Sequence, residues 1–183
     1  MNNVSRKEIV DYVTYEEKRN EVRNKILKIK EARRINVGAT LSFLFENRDT
    51  VRYQIQEMMR VERIVKEKDI VHEIETYNEL LGKSGELGCT LLIEIDDPLE
   101  RNSKLSKWID LPSHLYLRLE DESRVMASFD ERQVGDGRLS SVQYIKFDTN
   151  GKVPVAIGSN HPLFEEETML SDVQKKALSE DLL

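Results

Sequence analysis

The chain has one cysteine, Cys89, which excludes an intrachain disulfide and any iron–sulfur centre held by its own thiolates. A lone thiol fits a reducing cytoplasm. Cys89 stands between Gly88 and an apolar run, so it reads as a small core residue rather than a nucleophile. Long hydrophobic runs are also missing: none approaches the roughly 20 residues needed to cross a bilayer. The N-terminus, with Asn2, Asn3, Ser5, Arg6, Lys7 and Glu8, offers no apolar stretch of signal-peptide length. Positive charge is in deficit: 28 Lys and Arg face 34 Asp and Glu, for a net charge of -6. That balance favours solubility and argues against broad binding to nucleic acid or anionic membranes. Gly-x-Ser-x-Gly, Gly-x-Gly-x-x-Gly and phosphate-loop sequences are absent. Gly135-x-Gly137 is too short for such a loop and reads as a turn.

At 183 residues the chain fits one domain, 1–183, with no repeat or linker to divide it. Its 34% of charged residues falls largely in helical patterns, so it reads as solvated helix rather than disorder. Thr14-Tyr15-Glu16-Glu17 has the capping-box form, and Tyr15, Val22, Ile26 and Ile29 follow at helical spacing. This predicts an N-terminal helical segment over 1–34, with Lys25, Lys28, Lys30, Arg33 and Arg34 at the negative end of its dipole.

A mixed segment follows over 35–112. Ile35 to Phe45 reads as a strand with a bulge at Gly38. Residues 51–56 fit both strand alternation and one helix face; a helix over about 48–65 is the favoured reading, a hairpin the alternative. Ile70, Val71, Ile74, Tyr77 and Leu81 predict a second helix, ended by Gly82 and Gly85. Cys89 to Ile95 is a strand, and Asp97-Pro98 opens a short helix with Leu105, Trp108 and Ile109 inward.

The second half reads as an antiparallel meander over 113–160. Its strands are Leu115–Leu119, Val125–Phe129, Val142–Phe147 and Val153–Ile157, and Asp148-Thr149-Asn150-Gly151 is a hairpin turn. The last segment, 161–183, ends in a helix with Val173, Leu178 and Leu182 inward. The fold class is therefore α+β: N-terminal helices against a mainly antiparallel sheet, and a C-terminal helix.

Residues that could carry chemistry cluster in the two central helices. Helical residues advance by about 100° each. Val51, Ile55 and Met58 then define a stripe with Glu62 near its centre. A carboxylate drawn inside needs a cation, a backbone donor, a metal or a proton. Arg33, Arg34, Arg60 and Arg63 are the cations near in sequence. The candidate binding residues are Arg34, Glu57, Arg60, Glu62, Arg63 and Asn78, with arginine forks meeting a carboxylate or phosphate. His72-x-x-Glu75 spaces two ligands one turn apart, but the pair occurs once and faces outward, so it reads as a solvated face. His114 begins a strand and His161-Pro162 sits in a turn, without mutual ligand spacing. Asp130-Glu131-Arg132-Gln133 and Ser140-Ser141-Val142-Gln143-Tyr144 could form a polar patch on adjacent strands; Gln143 faces opposite to Val142 and Tyr144, so one face is wet.

Several of these runs are similar to a known family. They are Arg33-Arg34, Leu44-Phe45-Glu46-Asn47, Tyr53-Gln54-Ile55-Gln56-Glu57-Met58, Glu62-Arg63-Ile64, Tyr77-Asn78-Glu79-Leu80 and Val142-Gln143-Tyr144. The chain resembles an uncharacterised bacterial family, domain of unknown function 3501, over nearly its whole length. The resemblance carries no established activity. It implies a gene neighbourhood of rubrerythrin-like and iron–sulfur oxidoreductase proteins, hence a redox or oxidative-stress setting in which any such cofactor belongs to a partner.

The expectation is a cytoplasmic accessory or binding protein with a protein partner from a redox system and no cofactor of its own. The alternative is an enzyme or metal protein using Glu57, Glu62, Glu73 and His72. Nucleic-acid binding through Lys25, Lys28, Arg33 and Arg34 is the weakest reading, and neither nucleic acid nor membrane is the expected partner. The first helix and Met58-Met59 offer a surface for a homodimer.

Overall fold

The protein is described from a computed structural model, which covers residues 3–135 and 137–183. Residues 1, 2 and 136 lie outside the described residues, and with Asp136 the middle of the expected Gly135–Gly137 turn.

Three helices form the first layer. α1, Tyr12–Glu31, starts earlier than the Thr14 box implies, because the Asp11 side chain accepts from the Val13 and Thr14 amides and takes the cap. α2, Arg48–Glu62, is helical throughout, which settles 51–56 as helix. Asn47 and Thr50 close its first turn reciprocally, and Arg63 ends it in a left-handed conformation at φ 51°. Its fully buried residues are Thr50, Val51, Ile55 and Met59, not Met58. α3, Glu67–Asn78, places Glu67 and Asp69 in its first turn, at the positive end of the dipole, and buries Ile70 and Ile74. The apolar ones among these residues, with Leu81 and the N-terminal Val4 and Ile9, make a small helical core.

The predicted strand 35–45 is a hairpin. β1, Arg34–Val37, and β2, Leu41–Glu46, pair antiparallel around a turn in which Gly38 has φ +56°. β3, Glu86–Ile93, pairs with β2. The remaining elements are α4, Pro98–Lys107; β4, Leu115–Leu119; β5, Arg124–Met126; β6, Ser128–Phe129; the small β7, Val134–Gly135, and β8, Arg138–Leu139; β9, Val142–Asp148; β10, Pro154–His161; β11, Phe164–Met169; and α5, Asp172–Asp181. The architecture is α+β with antiparallel sheets.

The strands do not form a meander. One sheet runs β1-β2-β3-β9-β6 and the other β11-β10-β4-β5, so the first half of the chain supplies three strands. The 148–151 turn is present, with Asn150 at φ 52° and Gly151 at φ 78°, but the strands it joins pair in different sheets. Only Ala127 separates β5 from β6, so one bent segment serves both sheets. At the opposite margin β11 approaches β1, where Thr168 Oγ1 donates to the Asn36 carbonyl at 2.9 Å. The two sheets thus wrap into an incompletely closed barrel.

Its interior holds Phe43, Phe45, Leu91, Leu117, Phe147 and Ile157, capped by Leu105 and Trp108 at α4 and by Leu178 and Leu182 at α5. Val173, expected inward, is exposed. β2 is buried on both faces. Phe43 and Phe45 fill the barrel, while Glu46 turns to the helical layer and accepts from Thr50 and Thr90 hydroxyls at 2.5 and 2.7 Å.

Candidate functional site

α3 and the outer side of β9 and β6 diverge to leave a groove of about 670 Å³, within the usual size range of a ligand pocket. Its helical wall carries Glu73, Thr76, Tyr77, Glu79 and Leu80, and its sheet wall carries Ser128, Phe129, Tyr144, Ile145 and Lys146. The local sequence explains the opening. Period-3.6 apolar residues turn Ile70 and Ile74 of α3 toward α2, which leaves Glu73 and Tyr77 at the flank of that stripe. The end of the helix is brought hard onto β3 at Gly88, where a Cβ would stand 1.9 Å from the Leu80 carbonyl oxygen. Only glycine permits that approach.

β9 shows strand alternation, with Gln143, Ile145 and Phe147 buried and Val142 and Tyr144 exposed. The wet face is therefore the one with Tyr144, and Gln143 points inside. β6 stops after pairing Phe129 with Ile145, and Gln133 takes over the open edge. Its amide accepts from the Tyr144 N–H at 2.8 Å and donates to the Tyr144 carbonyl at 3.0 Å. Of the expected polar patch of 130–133 and 140–144, Gln133 and Tyr144 meet in this way and line the groove with Asp130, while Gln143 lies outside it.

The groove's electrostatics are lopsided. Asp130 is held by Arg132 and accepts its guanidinium. Glu73 is half-buried, and no ion pair or hydrogen bond joins it to another described residue. Lys146 is the basic side chain of the lining. Burial first, then the charge of Glu73, the neighbouring Tyr144 and the charge of Glu62, pushes the Tyr77 phenol above its ordinary range.

The sequence-predicted residues separate. Glu57 and Arg60 meet in a clamp between α1 and α2: Glu57 accepts from Tyr15 at 2.7 Å, Arg19 at 2.8 and 3.0 Å and Arg60 at 3.2 Å. Burial raises its carboxyl, but the bonds from Arg19, Tyr15 and Arg60 prevail and lower it to about 2. Glu62 is exposed, contrary to the expected enclosure, because α2 runs past the small core at its last turn. Arg63 is exposed as the helix cap. Arg34 donates to Ser42 at 2.9 Å. Arg33 is buried against Asp181 and so unavailable to nucleic acid. Asn78 binds both the amide and carbonyl of Val4, at 2.9 and 3.0 Å. Gln56 does the same to Val10, at 2.8 and 3.0 Å. His72 and Glu75 are exposed, and Met59 is core. Glu57, Glu62, Glu73 and His72 do not converge, and among the described residues no group of three or more His, Cys, Asp or Glu is placed to hold a metal ion.

Sequence spacing missed one cluster. Asp110 bonds His161 Nε2 at 3.0 Å and His114 Nε2 at 3.3 Å, and the two rings stack edge to face at 5.1 Å. These side chains come together only because Leu111–His114 precedes β4 and β4 pairs with β10. Leu163 N–H donates to His161 Nδ1 at 3.1 Å, which places the ring's proton on Nε2, toward Asp110. A metal at Nε2 would need that proton on Nδ1, against the Leu163 amide. The His161 bond is the main reason the Asp110 carboxyl lies below its ordinary range. Buried Cys89 has its thiol pushed well up by burial, so it stays protonated.

The family model described as protein of unknown function (DUF3501) matches residues 3–182. A crystal structure of a novel protein of unknown function from Burkholderia pseudomallei is similar, with 26% identity, a TM-score of 0.91 and full coverage of both chains. No curated protein matches.

Proposed function

The chain belongs to the DUF3501 family, whose function is unknown, and from that premise we propose that it is an accessory protein that binds a small organic ligand in the α3–β9 groove. The observation that carries this reading is the groove itself: about 670 Å³, walled by Tyr77, Leu80, Phe129 and Tyr144, with polar groups at its rim. Aromatic walls recognise a flat apolar body, and the rim fixes its orientation. The reading is one of binding: the raised Tyr77 phenol stays protonated and serves the groove as a hydrogen-bonding group. The redox partner, a rubrerythrin-like or iron–sulfur oxidoreductase protein, belongs to the same proposal and rests on the family resemblance, while the cytoplasmic setting rests on the lone thiol. Within that setting the lone buried Cys89 supports carriage or contact rather than thiol exchange.

Amide chemical-shift mapping with 4-ethylphenol tests the groove. Shifts are expected at Tyr77, Leu80, Phe129 and Tyr144, and their loss in Tyr144→Ala. Shifts confined to another surface, or none at millimolar probe, would reject the reading.

A further inference from the structure

The groove's two sides bring different charges to an occupant. Glu73 projects from α3, half-buried, with no cation of the described chain engaging its carboxylate. Glu79 follows on the same wall, also outside any ion pair among the described residues, and Asp130 is already held by Arg132. Glu62, at the end of α2, adds negative potential at Tyr77. Opposite them stands Lys146, and Arg132, paired with Asp130 at the rim, also feels the charge of Glu79. A partly buried carboxylate without a partner is uncomfortable, because burial strips water from it without supplying a replacement. A bound cation would supply one. The faces of Tyr77 and Tyr144 also favour positive charge, since aromatic rings present their negative side to a cation.

We infer that the groove selects organic cations: an arylalkyl primary amine whose ring rests on Tyr77 and Tyr144 and whose ammonium meets Glu73. This deepens the groove reading and rests on it. Lys146 is the opposing influence, and if it governed the site the preference would invert toward carboxylates.

Three probes with one body separate these cases: 4-ethylphenol, tyramine and 4-hydroxyphenylacetate, neutral, cationic and anionic at pH 7. Dissociation constants come from NMR titration of the full chain. Tyramine is expected to bind about fivefold more tightly than 4-ethylphenol, the gain from one charge pair at contact distance in a wet site. The acid is expected to bind more weakly than either. Glu73→Gln keeps shape and removes charge; it is expected to abolish the tyramine advantage while leaving 4-ethylphenol unchanged. Equal binding of tyramine and 4-ethylphenol would overturn the cation preference and leave the groove reading standing. Tighter binding of the acid would overturn it in favour of Lys146. If all three fail to bind, groove and preference fall together. Glu75→Gln, on the exposed side of α3, serves as the control for a nonspecific charge effect; an equal loss there would also overturn the assignment to Glu73.

Discussion

Glu57 gathers Tyr15, Arg19 and Arg60 onto one carboxylate, and its titration should govern the acid limit of the helical layer. Its folded value, about 2, lies below the ordinary carboxylate range of the unfolded chain. The clamp therefore contributes fully above that range and loses its contribution as pH falls toward 2. Its worth is on the order of 2 kcal/mol at neutral pH, discounted for partial exposure. Urea denaturation between pH 7 and pH 3 should show this as a falling midpoint, and Glu57→Gln should flatten the fall; an unchanged slope would remove the clamp from the account. Glu57 and Arg60 are legible in the sequence as candidate binding residues of one helix, though not their meeting with Tyr15 and Arg19. Glu62 was misplaced for a physical reason: angular projection gives a residue's side of a helix, not how far along the axis the core extends. The meeting of His114, His161 and Asp110 was invisible because strand pairing, not spacing, makes it.

Two amides pin the N-terminal segment to the helices as a backbone would. Gln56 takes both polar groups of Val10, and Asn78 those of Val4, while Arg6 pairs with Glu67 and Arg48 with Glu8. Replacing either amide by Ala should cost about 1–2 kcal/mol. Gln56→Ala with Asn78→Ala should free residues 4–10, read as faster hydrogen exchange of the Val4 and Val10 amides with α5 unaffected. Unchanged exchange would mean that burial of Val4 and Ile9 alone holds the segment. At this scale the sequence is informative where apolar periodicity is strong, as in α3, β4 and β9, and ambiguous over 51–56 of α2, where both periods fit. β11 escaped because Glu165, Glu166 and Glu167 are exposed along an outer strand, where no alternation is required. The 35–45 run was read as one strand because β1 and β2 are both apolar on their barrel side, and the reversal rests on Gly38.

The whole molecule is a barrel with a helical layer on one flank, and Arg33 fastens the end of α1 to α5 through Asp181 at 2.6 and 2.9 Å. Both are under a tenth exposed, so breaking one side strands a charge. Asp181→Asn should lower stability by about 3 kcal/mol, whereas Arg33→Met with Asp181→Leu should recover most of the loss. Thermal denaturation of the two variants beside the unsubstituted protein decides it; equal losses would show that the pair acts through packing. The fold class was legible from the pattern of elements, but the two-sheet closure was not, because Asp148–Gly151 signals a turn without saying which strands it pairs. The margin between β1 and β11 is fastened by a side chain, Thr168 to the Asn36 carbonyl, and beside it Gln174 of α5 donates to the Arg34 carbonyl, in place of a ladder of amides. Such a seam unlaces one stitch at a time. Water should first reach the barrel interior along it, and proteolysis under mild denaturant should nick the chain there before the groove loses its shape.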